Sequence, residues 1–156
     1  MDDLRVPKRR TPVEMLLPGG ATRRMTLFLS EVAADHTGPE RPSDLLNGGD
    51  DFVPAFDETG KAMTFLNRSA ISAVRLDPAL DADLDEDVTL PTEHEVEVLL
   101  QDGTPLRGLV SFLRPAERSR LVDFLNEPPP FFRLIDGAVL VLVNKRHVVR
   151  VGLLAR

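Results

Sequence analysis

A chain of 156 residues with 19 Lys and Arg against 25 Asp and Glu carries a formal net charge of −6. That sign counts against general nucleic-acid binding, which uses basic surface to displace counterions from phosphates. Cysteine, tryptophan and tyrosine are all absent, which excludes disulfides, thiolate metal sites and cysteine nucleophiles and removes the best stacking platforms for single-stranded bases.

In chain order, residues 1–11 hold Asp2 and Asp3 and then Arg5, Lys8, Arg9 and Arg10. They read as a basic N-terminal arm. The arm lacks the apolar core of a signal peptide, and no run anywhere is long enough to span a bilayer, so a cytoplasmic chain with no membrane partner is expected. Residues 12–17 alternate loosely between apolar and polar and break at Pro18-Gly19-Gly20, a turn signal. Met25, Leu27 and Leu29 then alternate with Thr26, Phe28 and Ser30, the period of a strand. After a polar loop comes Arg41-Pro42-Ser43-Asp44-Leu45-Leu46-Asn47. It reads as one helical turn capped by Ser43 or Asp44 and ended by Asn47 and Gly48 in the left-handed conformation. Short strands are expected over residues 52–56, 62–66 and 70–76, with tight turns at Asp57-Glu58-Thr59-Gly60 and Asn67-Arg68.

Residues 77–92 concentrate Asp77, Asp81, Asp83, Asp85, Glu86 and Asp87, a run of like charge that reads as a linker. Strands are then expected over 93–100 and 106–113. A short helix follows over 115–126, stopped by Pro128-Pro129-Pro130. The closing strands fall at 131–135, 138–143 and 148–154.

The second part repeats the first. Val13-Glu14-Met15-Leu16-Leu17 matches Val96-Glu97-Val98-Leu99-Leu100, and Gly20 and Arg24 match Gly103 and Arg107 at the same spacing. The box from Arg41 to Asn47 returns as Arg120-Leu121-Val122-Asp123-Phe124-Leu125-Asn126, and Asn67 returns as Asn144. Three colinear blocks whose offset shrinks slightly along the chain indicate an internal duplication with loop deletions. Two units of roughly 60 residues follow, each marginal alone, so they are expected to lean on each other or on another subunit. Each unit has five short strands and one helical turn, and small sheets of this kind hide their edges by curling into a barrel.

The run Val96-x-Val98-x-Leu100-x-Asp102-Gly103-x-x-Leu106-Arg107-Gly108-x-Val110-x-Phe112 resembles the opening half of an Sm-like domain. Asn144-Lys145 followed by Val148-Val149-x-Val151 resembles the position of that family's second motif, with Asn-Lys where the family has an Arg-Gly or Lys-Pro-type pair. With the two boxes, the chain looks similar to a family of uncharacterised bacterial proteins thought to carry such a barrel. The resemblance implies an all-β fold of two tandem five-stranded Sm-like small β-barrels: a first barrel at 12–76, an acidic linker at 77–92 and a second barrel at 93–156. It further implies a homo-oligomer assembled through edge strands.

The candidate binding residues admit two readings. Arg41 with Asp44 and Arg120 with Asp123 form either a ligand-binding pair in each unit or a capped helical turn. The cap is the simpler account, because caps stabilise by about 1 kcal/mol and need these residue types. Asn47 and Asn126 read first as helix terminators, whereas in an Sm-like barrel the equivalent Asn would touch a base. The RNA-binding alternative joins them to Arg24, Arg107 and Lys145. A further alternative is a regulatory domain that holds a small anionic ligand with Arg9, Arg10, Arg23 and Arg24, similar to the arginine motif of PilZ domains but without that family's partner motif. His36, His94 and His147 are not at metal-ligand spacing. No nucleophile elbow or phosphate loop occurs. No catalytic residue, cofactor or metal is therefore expected, and the sequence points to a non-catalytic oligomerising binding or scaffold module open to a protein partner.

Overall fold

The computed structural model describes residues 8–34, 36–82, 92–112 and 120–154. The first half holds β1 (Lys8–Leu17), β2 (Ala21–Ser30), helix α1 (Pro42–Leu46), β3 (Phe52–Asp57), β4 (Ala62–Asn67) and β5 (Ala73–Leu76). The second holds β6 (Thr92–Leu100), β7 (Pro105–Phe112), α2 (Leu121–Leu125), β8 (Phe131–Asp136), β9 (Val139–Asn144) and β10 (Val148–Leu153). The ten strands form one antiparallel sheet in the order β10-β6-β7-β8-β9-β5-β1-β2-β3-β4. The fold is all-β with two short helices, and among the described residues no helix is long and apolar enough to cross a membrane.

Each half has the same internal order, its fifth strand beside its first, then the second, third and fourth. The registers correspond as well. Glu14 lies opposite Arg24 and Arg75, and Glu97 lies opposite Arg107 and Gly152. Phe52 lies opposite Asn67, and Phe131 lies opposite Asn144. The strands form because apolar side chains recur at every second position: Met25, Leu27 and Leu29 on β2 are buried while Thr26, Phe28 and Ser30 between them are half-buried. The β1–β2 turn depends on Gly19 and Gly20, at φ 88° and 82°, a region closed to most side chains.

Several local expectations change. Residues 8–11, expected in the arm, are the start of β1, with Arg10 opposite Phe28, Thr11 buried, and Arg9 Nη2 donating to Glu40 O at 2.8 Å. The ladder to β2 continues past Pro12 because β2 is equally long. The start of the acidic segment folds into a 3-10 turn, Pro78–Asp81, whose Asp81 is fully buried; the rest of the expected linker, 83–91, lies outside the described residues. So do residues 1–7 and 113–119, the last five of which begin the expected helix. Asn47 and Asn126 end their helices at φ −91° and −93°, so the left-handed termination is not used. Residues 68–70 form a 3-10 turn and β5 begins only at Ala73.

Two apolar clusters pack against the sheet. One gathers Met15, Met25, Leu27, Leu46 and Val53 with Phe131, Leu140 and Leu142 from the second half. The other gathers Val96, Val98, Val110 and Phe132 with Leu16 and Ala73 from the first. Phe124 of α2 stacks on Phe112 with ring centroids 4.7 Å apart.

Gly108 is required by space. A Cβ there would lie 2.5 Å from Ile135 O and 2.9 Å from Leu134 Cγ, although Met25 fills the matching place in the first half. Gly108→Ala is therefore expected to destabilise the fold by about 1–3 kcal/mol as an overpacking change, read as a lower denaturant midpoint. An unchanged midpoint would mean that β7 and β8 do not approach this closely.

Candidate functional site

The two halves meet where β5 lies against β9, with Ala73 opposite Val143, Val74 opposite Leu142, Arg75 opposite Val141 and Leu76 opposite Leu140. Because strand side chains alternate faces, Val74, Leu76, Leu140 and Leu142 enter the first cluster while Ala73, Val141 and Val143 enter the second. Each large aliphatic side chain buried here contributes about 1.5–3 kcal/mol.

Polar groups along this seam are hydrogen-bonded across it. Asn47 brackets Phe131: its Oδ1 accepts from Phe131 N at 2.8 Å and its Nδ2 donates to Phe131 O at 3.4 Å. Asn144, 1% exposed, donates from Nδ2 to Ile71 O at 2.9 Å and from its backbone N to Ser72 O at 3.0 Å. His147 Nε2 lies 2.7 Å from Ser69 O, so this nitrogen carries the proton; Nδ1 faces Ser72 Oγ at 3.5 Å. Asp81 completes the seam. Its Oδ1 accepts from Ser43 N at 2.8 Å, and Arg133 of β8 donates Nη1 to its carboxylate and to its backbone O. Asp81→Ala leaves the Ser43 amide without its acceptor and takes the carboxylate from the Arg133 guanidinium, which keeps only the backbone O. The expected loss is about 2–4 kcal/mol, measured by chemical denaturation; a loss below about 0.5 kcal/mol would mean that water replaces the carboxylate at no cost.

Of the expected binding residues, the boxes fold into local structure. Asp44 Oδ2 accepts from Arg41 N at 2.8 Å, from Arg41 Nε at 3.3 Å and pairs with His36 Nε2 at 2.6 Å. Arg120 Nε and Nη2 donate to Asp123 at 3.0 and 3.2 Å. Burial pushes the Asp44 carboxyl up, but hydrogen bonds from the Arg41 side chain, His36 and the Arg41 amide outweigh it and hold it below the usual range. The hydrogen bond to Asp44, with that to Thr37 O, pushes His36 above the 6.5 of an ordinary imidazole. The sign follows by linkage: the raised His36 contributes stability that is full below pH 6.5 and is lost as pH rises through its folded value, and the depressed Asp44 contributes stability lost only on strong acidification. An NMR titration of His36 is expected to show a midpoint above 6.5 that falls back toward it in Asp44→Asn. A wild-type midpoint at or below 6.5 would contradict the contact.

Arg24, Arg107 and Lys145 are not brought together. They line three separate hollows, Arg24 beside Glu58, Arg107 beside Asp136 and Lys145 beside Arg68. Arg107 Nε also pairs with Glu97 at 2.9 Å. The four arginines of the anionic-ligand alternative are divided as well. Arg10 lies opposite Phe28 and Arg23 opposite Met15, five strand positions or about 16 Å apart, and Arg23 is paired with Asp57.

Sequence reasoning did not single out a cleft of about 530 Å³ at one end of the seam. Asp51, Arg68, Pro130, Phe131, Lys145 and Arg146 are among the residues that line it. Arg68 Nη1 is buried there with no hydrogen-bond partner among the described residues. Lys145 Nζ donates to Glu127 O at 2.6 Å, and burial holds its ammonium below the usual range against the attraction of Glu127. The repeat of Asn67-Arg68 as Asn144-Lys145 was the available signal.

Among the described residues the sheet ends in two free edges, β4 and β10. Met63 and Phe65 on β4 are 50% and 68% exposed, and Val149 and Leu153 on β10 are 60% and 64% exposed. No family model, no curated protein and no solved structure matches the chain.

Proposed function

We propose that the chain is a non-catalytic, self-assembling scaffold made of two copies of a small Sm-like β-barrel unit, in which the free edges join copies of the chain into a closed homo-oligomer. One observation carries the reading. The strand type exposed at one end of the sheet, the fourth, and the type exposed at the other, the fifth, are the two types already paired inside the chain as β9 and β5. The repeated strand order and the matching registers support the duplication behind it. The edges also lack the usual protection: β4 has no charged residue and β10 has one, Arg150, where isolated edges carry charge, Pro or a cover. A head-to-tail contact that repeats the internal seam gives a heterologous interface, which closes into a ring when the rotation permits.

Light scattering over a range of protein concentrations and salt is the test. The expected result is an integral multiple of the chain mass, insensitive to salt because the contact is apolar and backbone-paired, which reverts to a single chain in Phe65→Lys. A monomer at every concentration would remove the reading.

A second reading, binding of an anionic ligand, is favoured by the cleft: among its described lining residues three cations, Arg68, Lys145 and Arg146, face one carboxylate, Asp51, and one guanidinium nitrogen is unpaired. Short RNA added in the same scattering experiment separates the two. A co-migrating, salt-sensitive complex supports the second, and an unchanged mass supports the scaffold alone.

A further inference from the structure

Asn47 is followed by Gly48, whereas Asn67, Asn126 and Asn144 are followed by Arg68, Glu127 and Lys145. An asparagine before glycine is open to a reaction that a bulkier neighbour hinders. The backbone nitrogen of the next residue attacks the side-chain Cγ, and glycine, with no Cβ, leaves that approach unobstructed. The new C–N bond forms as Cγ–Nδ2 breaks, and Nδ2 leaves as ammonia with the proton of the glycine amide. Water then opens the cyclic imide. Addition at Cγ gives aspartate. Addition at the backbone carbon of the asparagine gives isoaspartate, whose main chain runs through the former side chain.

The fold closes this route from two sides. Gly48 N reaches Cγ only when it eclipses Asn47 Cβ about the Cα–C bond. Asn47 stands at ψ 3°, where Gly48 N eclipses the residue's own N instead. Asn47 N donating to Ser43 O at 2.9 Å and Gly48 N donating to Leu45 O at 3.2 Å hold that conformation. The side chain is held as well, with Oδ1 accepting from Phe131 N at 2.8 Å and Nδ2 donating to Phe131 O at 3.4 Å. The attacking nitrogen is thus engaged by α1 and the attacked amide by β8. Reaction needs the end of α1 to unwind and the amide to leave the second half. Asp81 ties the same two elements together through Ser43 N and Arg133.

We propose that Asn47-Gly48 is a deamidation site gated by the seam, so that each opening of the seam exposes the pair to permanent chemical change. The product does not fit the place it came from. Aspartate at position 47 still accepts from Phe131 N but has no donor for Phe131 O. Its anion faces that carbonyl where Nδ2 stood, an arrangement that costs free energy in a partly buried site. Isoaspartate adds a main-chain atom at the end of α1 and displaces the side chain. The change runs one way, and the two halves are joined less firmly as the protein ages. The matching Asn126 carries no such site, because Glu127 follows it and its amide turns back onto Val122 O at 3.0 Å.

The full chain held in mildly alkaline buffer, folded and in denaturant, and followed by intact mass and peptide mapping, is the test. A gated reaction runs at its intrinsic rate times the open fraction, so an opening that costs about 1.4 kcal/mol slows it about tenfold. The expected result is conversion at Asn47 before any other asparagine, slower by about tenfold or more in the folded chain. Asp81→Ala is expected to move the folded rate toward the denatured one; if that variant does not fold, denaturant below the unfolding transition does the same to the wild type. Gly48→Ala, compared in denaturant so that its effect on the fold does not enter, is expected to suppress the conversion. Asn47→Asp is expected to lower the denaturant midpoint. Equal rates in the folded and denatured wild type overturn the gate, and earlier conversion at another asparagine overturns the site. A wild-type rate in folded Asp81→Ala, or no response to mild denaturant, means that the helix end opens by itself and removes the seam from the proposal. An unchanged midpoint in Asn47→Asp overturns the weakening of the junction.

Discussion

Everything in this structure depends on β5 and β9 serving two cores at once. A strand in the middle of a sheet that is covered on both faces must be apolar at every position, not at every second one. β9, with the sequence VLVLVN, meets that demand, and its residues from Leu140 to Val143 are all buried. Their side chains alternate between the two clusters, so neither half closes its own interior without the other. The two halves form one sheet, and the seam between them is built from core and not from surface.

The polar chemistry follows from the same constraint. Joining two sheets end to end buries backbone groups at the strand ends, and a buried N–H or C=O without a partner costs about as much as a lost hydrogen bond. Asn47 and Asn144 supply side-chain amides that mimic a peptide group and satisfy those positions. The fully buried Asp81 holds the first helix and β8 together through one carboxylate, and its partner Arg133 keeps a third of its side chain in solvent. The buried carboxylate is admitted to the seam because donors surround it.

The asymmetry between the halves has a physical sense on this view. The two halves carry the same order of strands, but only one fourth strand and one fifth strand find each other within the chain. The others, β4 and β10, keep the apolar composition of their counterparts without the burial. The boxes behave differently again. Asp44 is enclosed by Arg41 and His36, while Arg120 beside Asp123 is three-quarters exposed. The same box pattern therefore makes a covered helical turn in one half and an open one in the other, as their neighbours differ.

How much of this was legible beforehand divides along the range of the interactions. The alternation of Met25, Leu27 and Leu29, the glycine turns at Gly19, Gly20 and Gly103, and the local Arg41–Asp44 and Arg120–Asp123 pairs are set by residues within a few positions of one another. Strand identity, turn position and the all-β class could therefore be read from the chain alone. The ends of elements could not. Residues 8–11 look like a loose basic arm until β2 offers a partner of equal length, and Asp81 looks like part of a solvated acidic run until Ser43 and Arg133 surround it. Asn47, which the local pattern marks as a helix terminator, is assigned its role by Phe131, a residue 84 positions away. The sequence by itself determined the set of strands and turns, because those follow from short-range periodicity. Tertiary structure alone decided which strands became the seam and which became edges, because burial and long-range hydrogen bonding are properties of the assembled sheet.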